Sequence, residues 1–218
     1  MTDIKGKTNY IEQGSEGGTV YVDEISRHCP LTRDLRTLRF DPSVIYYRNH
    51  IWSKECDGQI KVGLDDLAQK LLQPVKAWIG PSAGTAAEKG EHLFWVETLG
   101  GLVSFESPFD GAIAMFNDTL YHKPTLPGKE PYGSGWVLSI REFSRTRNSE
   151  VAPVPAGEAL DWLGDEAIRW EKLLVNYLGL GNDEPGATAD GGIIVTDPWI
   201  ALGPRGMQKM FAAFFNPL

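Results

Sequence analysis

The sequence predicts a mainly β protein, a small barrel or sandwich with N-terminal and C-terminal helical extensions. Three observations carry this. Runs of strand-forming residues recur at short intervals from Val44 to Ile140, separated by turn residues such as Asp57-Gly58 and Ser107-Pro108-Phe109-Asp110-Gly111. That is the pattern of a small all-β domain. Two of the runs, Leu93 to Leu99 and Leu102 to Glu106, meet at Gly100-Gly101. Glycine reaches positive φ without a Cβ clash, so a tight hairpin is expected there, with its tip projecting from the body of the sheet. Long helical periodicity is confined to the C-terminal part, in Glu158 to Leu178 and Arg205 to Phe215.

Taken in order, residues 1–18 are polar and close on Gly14-Ser15-Glu16-Gly17-Gly18, which reads as a mobile arm. Thr19 to Val22 reads as a short strand. In Asp23 to Asp41, Arg33, Arg36 and Arg39 recur at spacing three, as do Leu35 and Leu38, which suggests a short amphipathic helix. Gln59 to Leu64 alternates as a strand does. Asp65 to Leu72 shifts to helical spacing, with acidic residues in its first turn and Pro74 as its stop. Val75 to Ile79, Ala112 to Asn117 and Val137 to Ile140 are further strands. Arg141 to Ala156 reads as a linker. Glu158 to Leu178 lines up Leu160, Leu163, Ala167, Leu174 and Leu178 on one face, beside Ile168 and Tyr177, and Gly179 is its stop. Gly181 to Gly192 reads as a loop and Ile193 to Val195 as a short strand. In the last helix Met207, Met210, Phe211, Phe214 and Phe215 form an apolar stripe suited to packing or to self-association.

Composition narrows the function. The 218 residues carry 42% hydrophobic and 23% charged residues and a net charge of −8. An acidic surface disfavours nucleic acid and membrane adsorption, since both targets are polyanionic. The N-terminus lacks an apolar signal core and no apolar run approaches a membrane span, so a cytoplasmic protein is expected. Only Cys29 and Cys56 are present, without metal-binding spacing, and free thiols are expected. No nucleophile elbow, zinc-protease helix or phosphate loop occurs, and His28, His50, His92 and His122 are scattered. The chain does not read as an enzyme. Asp161, Asp165 and Glu166 read as a solvated helix face.

Several separated motifs closely resemble the H protein of the glycine cleavage system, a lipoyl carrier with a flattened β-barrel, the barrel-sandwich hybrid. Asn49-His50-Ile51-Trp52 resembles the family's opening His-x-Trp. Val62-Gly63-Leu64-Asp65-Asp66-Leu67-Ala68-Gln69 is similar to its Val-Gly-Ile-Thr-Asp-Tyr-Ala-Gln. Asn117 to Leu120 with Pro124, and Pro131-Tyr132-Gly133-Ser134-Gly135-Trp136, match its later signatures. The resemblance runs from about Tyr46 to Ile140. It divides the chain into an N-terminal extension (1–43), a lipoyl-type domain (44–143) and a C-terminal extension with two helices (144–218).

The family's hairpin reads Glu-Ser-Val-Lys-Ala followed by Ser-Pro-x-x-Gly. Here the ungapped match is Glu97-Thr98-Leu99-Gly100-Gly101, then Ser107-Pro108-Phe109-Asp110-Gly111. The resemblance thus puts Gly100 where the lysine that bears lipoate would stand. Glycine has no side-chain nitrogen and accepts no acyl group, and no lysine lies between Lys89 and Lys123. No cofactor is expected. The family's hairpin aspartate is replaced by Ser104, which thins the acidic patch around the arm. The resemblance implies an adaptor that docks without carrying cargo, with Glu97, Thr98, Leu99 and Gly101 as docking candidates. Its partners are expected among lipoate-dependent or glycine cleavage enzymes. Two other readings stay open: a thiol carrier or redox protein using Cys29 or Cys56, and a structural subunit assembled through the C-terminal helix.

Overall fold

The computed structural model describes residues 9–14, 17–22, 35–144, 152–155, 157–179 and 197–215. In chain order it begins with strands β1 (Asn9–Gly14), β2 (Gly17–Val22) and β3 (Thr37–Phe40), which form an antiparallel sheet in that order. The polar N-terminal arm is therefore paired structure over residues 9–14. The next strand in sequence, β2, answers its backbone hydrogen bonds, which the polarity of the arm does not reveal. The helix expected near Arg39 is also corrected, since Thr37–Phe40 is a strand with Leu38 and Phe40 buried. Residues 23–34 lie outside the described residues, Cys29 among them.

Next come β4 (Ile45–Tyr46), β5 (Ile51–Cys56), β6 (Gln59–Leu64), helix α1 (Asp66–Leu71), β7 (Val75–Ile79), β8 (Ala86–Ala87), β9 (His92–Thr98), β10 (Gly101–Glu106) and β11 (Asp110–Phe116). Helices α2 (Thr119–His122) and α3 (Leu126–Lys129), strand β12 (Leu138–Ser144), and helices α4 (Ala159–Leu178) and α5 (Pro198–Phe215) complete the order. One sheet has the order β4-β5-β6-β12-β11-β8, and the other β10-β9-β7. The mainly β architecture stands, arranged as separate antiparallel sheets around a shared core. Arg141–Ser144 belong to β12, and Pro153 makes a bridge to Tyr47, so the stretch read as a linker is partly sheet.

The core explains the sequence pattern. Alternation in β6 buries Ile60, Val62 and Leu64, and α1 buries Leu67, Ala68 and Leu71 beneath them. Asp65 caps α1, its Oδ1 accepting from the Ala68 backbone N–H at 2.8 Å. Gly63 lies flat beneath the Trp52 ring, where an added Cβ would meet ring atoms at 2.6 Å. Arg39 of β3 donates from its Nε to Asp66 Oδ1 at 2.8 Å and also reaches the Gly128 and Lys129 carbonyls. This ties the N-terminal sheet to α1 and α3. Helix α4 buries Ala159, Trp162, Leu163, Ala167, Trp170 and Leu174 and ends at Gly179 with φ 67°. Its inward face is centred on two tryptophans that aliphatic spacing alone did not single out, while Tyr177 is exposed. Residues 180–196, including the expected loop and Ile193–Val195, lie outside the described residues. Among the described residues no helix is long and apolar enough to cross a membrane.

Candidate functional site

The hairpin forms in the expected place with its turn one residue earlier. Thr98 pairs with Gly101, Leu102 with Glu97 and Phe105 with Phe94, so Leu99 and Gly100 are the central residues. The left-handed backbone falls on Gly101, at φ 110°, while Gly100 lies outside that region. Gly101 is thus the glycine the turn needs. Thr98 holds the turn closed, since its Oγ1 accepts from the Gly100 N–H and donates to the Gly101 carbonyl, both at 3.1 Å.

These contacts sort the docking candidates. Thr98 is 1% exposed and its hydroxyl is engaged in the turn, which corrects its place among them. Leu99 is 44% exposed and its neighbour Leu102 58% exposed, while Glu97 and Gly101 are half-buried. Gly100 itself is buried. What buries it is α5. A Cβ built on Gly100 would sit 3.2 Å from the Gln208 backbone nitrogen, 3.2 Å from the Pro204 carbonyl oxygen and 3.4 Å from the Trp199 ring. The tip faces the protein's own tail.

Local sequence explains how α5 arrives there. Asp197 accepts from the Trp199 backbone N–H at 2.8 Å through Oδ1 and starts the first helical segment. Gly203, at φ 64° and ψ 176°, breaks the helix in a conformation open essentially to glycine alone. Pro204 then opens the second segment, where its missing N–H costs nothing. Met207, Met210, Phe211, Phe214 and Phe215 are all buried, so the apolar stripe is internal packing. Burying each such side chain contributes roughly 1.5–3 kcal/mol. Phe215 meets Phe105 of β10 edge to face at 5.4 Å, and the Trp199 indole N–H donates to the Gln73 carbonyl.

Under the same helix lies a buried charge cluster. His50, 1% exposed and at φ 64°, has Nδ1 2.8 Å from Asp65 Oδ2 and Nε2 3.5 Å from Glu166 Oε2. The second contact is an ion pair without hydrogen-bond geometry, for Nε2 has no hydrogen-bond partner. Phe214 stacks on the imidazole at 5.1 Å, Trp162 lies at 5.3 Å and Phe215 approaches edge-on at 5.6 Å. Burial alone would lower the His50 pKa, but the Asp65 and Glu166 carboxylates outweigh it and raise it to about 9. Burial opposes ionisation of Glu166 as well, yet His50 and Arg169 hold its carboxyl below the usual range. Arg169 also donates to the Phe214 carbonyl at 3.0 Å and lies over the Phe214 ring. Glu166 is therefore no solvated-face residue. It joins α4 to the histidine and, through Arg169, to the end of α5. The signal for this in sequence was faint: one acidic residue among several on a helix.

A family model described as Glycine cleavage H-protein matches residues 44–157. The chain belongs to the glycine cleavage H-protein family. The glycine cleavage system H protein of Cronobacter sakazakii is 32% identical over 116 residues, covering 53% of this chain and 90% of that protein. The probable glycine cleavage system H protein of Aeropyrum pernix is 32% identical over 125 residues, covering 57% and 81%. A crystal structure of an H protein from Mycobacterium marinum aligns with TM-score 0.49 at 21% identity, over 58% of this chain and 98% of that one.

The residues at the tip of this H-protein-family hairpin do not fit a lipoyl group. The hairpin offers no amine. Lys89 bridges to Ser107 at the far end of the strands, about 20 Å of strand from the turn. Among the described residues no thiol lies at the tip either. Cys56 ends β5 in the other large sheet, exposed and free, with Asp57 Oδ2 3.5 Å from its sulfur. That is an acidic neighbour, where thiolate activation calls for an electropositive one. Among the described residues no group of three or more His, Cys, Asp or Glu is placed to hold a metal ion.

Proposed function

We propose that the chain is a non-lipoylated H-protein-like adaptor of the cytoplasm. It presents the hairpin to partner enzymes and carries neither an acyl nor an aminomethyl group. The observation that carries this reading is Gly100, a residue without an amine at the position that the motif resemblance gives to the lipoyl lysine. Family membership supports protein partners among lipoate-dependent or glycine cleavage enzymes. The outward side chains of the hairpin, Leu99 in the turn and Leu102 beside it, support a contact role for its outward face.

The test is affinity capture of the full chain from native extract, with mass spectrometry of both bait and captured proteins. The expected result is an unmodified bait together with glycine cleavage or lipoate enzymes. A bait bearing a lipoyl mass increment would overturn the reading outright. An eluate holding an unrelated complex or only further copies of the chain would replace it with a structural role.

A further inference from the structure

Gly100 does not owe its identity to the turn. Its φ lies outside the left-handed region, and the residue that needs glycine for backbone reasons is Gly101. What restricts a side chain at position 100 is α5: main-chain atoms at Pro204 and Gln208 of its second segment and the Trp199 ring of its first close around it. Backbone atoms held inside a helix yield little, so a Cβ at 3.2 Å from two of them presses on the helix as a body.

We infer that Pro198–Phe215 is an intramolecular ligand of the hairpin tip, seated where the family's covalent arm would begin, and that Gly100 is the residue that admits it. The tail closes the Gly100 side of the tip against proteins that attach or receive a lipoyl arm, and leaves the outward face of the hairpin, Leu99 and Leu102, for docking. Calling this the arm position rests on the adaptor reading above, whereas the contact between tip and tail does not. Three anchors hold the tail in place. Trp199 donates to the Gln73 carbonyl, Phe215 packs on Phe105, and Phe214 stacks on His50. Gly203 supplies the break that lets Pro204 start a helix directly at the tip.

The test is hydrogen exchange with mass spectrometry on the full chain. In Gly100→Lys the amides of residues 206–215 are expected to exchange at least tenfold faster than in the parent, while those of 93–98 keep their parent rates. Trp199→Ala, which removes one wall of the contact and adds no bulk, is expected to act in the same direction. It decides the matter if Gly100→Lys loosens the whole hairpin. Leu102→Lys puts the same charge on an exposed residue of the same hairpin and is expected to leave α5 at parent rates. Unchanged α5 exchange in both Gly100→Lys and Trp199→Ala overturns the inference, as does equal acceleration by Leu102→Lys. The readout is intramolecular, so it stands or falls independently of which partners the affinity capture finds.

Discussion

His50 shows how one residue of a family motif acquires a role from outside the motif. It opens β5 as part of the His-x-Trp pattern, and Asp65, from the motif at α1, meets its Nδ1. Its other nitrogen faces Glu166 of α4, beyond the stretch of motifs. The groups around it are Asp65 from the α1 cap, Glu166 with its partner Arg169 from α4, and the Phe214 and Phe215 rings from α5. Because the folded pKa of about 9 lies above the unfolded value near 6.5, the ion pairs stabilise fully below the latter. That contribution fades as pH rises through 9. Urea unfolding of the parent is expected to lose on the order of 2–3 kcal/mol between pH 6.5 and pH 9.5. His50→Asn, which tolerates positive φ, should show a much flatter profile, and an equal slope in both would remove the cluster as its cause. At this scale the sequence was half legible. The absent amine at Gly100 follows from covalent chemistry and was readable, whereas the burial of Glu166 depends on where two helices fold back.

Among the elements, the β9–β10 hairpin was legible because its signals are local: strand formers on either side of a glycine pair. The division of labour within that pair was not, since it turns on the backbone angle of each glycine. Gly101→Val is expected to destabilise the chain by about 1–3 kcal/mol in denaturant titration, the range for forcing a β-branched residue to φ near 110°. Stability within 0.5 kcal/mol of the parent would show that the turn rearranges without strain. Helix α5 was legible as an apolar stripe, and α1 through its cap and acidic start. The strand β1 escaped because its polar, glycine-bounded sequence shows no apolar alternation, although its pairing partner Gly17–Val22 is adjacent in the chain. In α4 the reading followed leucines, while the packing follows Trp162 and Trp170, whose large rings fill the space beneath Tyr46 and Phe214.

At the scale of the molecule, the family region supplies the six-stranded sheet and the β10-β9-β7 sheet, and the flanking segments supply elements packed against them. The N-terminal sheet is tied on through Arg39, and both C-terminal helices meet at His50. On the proposed adaptor reading, Leu99 of the turn and Leu102 beside it are the outward apolar contacts near the tip. Replacing both with aspartate is expected to cut the captured partner by at least tenfold in quantitative affinity capture, with the unfolding midpoint unchanged. Undiminished capture would move docking to another face. The motifs made the family readable from sequence, but the docking of α5 on the hairpin was not, because that helix shares no motif with it.

The approach of α5 to Gly100 is made chiefly by main-chain atoms, and this bears on how such chains are told apart. A contact between two backbones places little demand on side-chain identity and a strict demand on size and register. Outside the side-chain anchors Trp199, Phe214 and Phe215, the contact at Gly100 depends on the spacing from Gly203-Pro204 to Gln208 rather than on side-chain identity. Absence of the lysine alone would mark an eroded carrier. On the proposed reading, glycine there together with a downstream Gly-Pro break opening an aromatic-rich helix distinguishes a hairpin tip closed by a helix of the same chain.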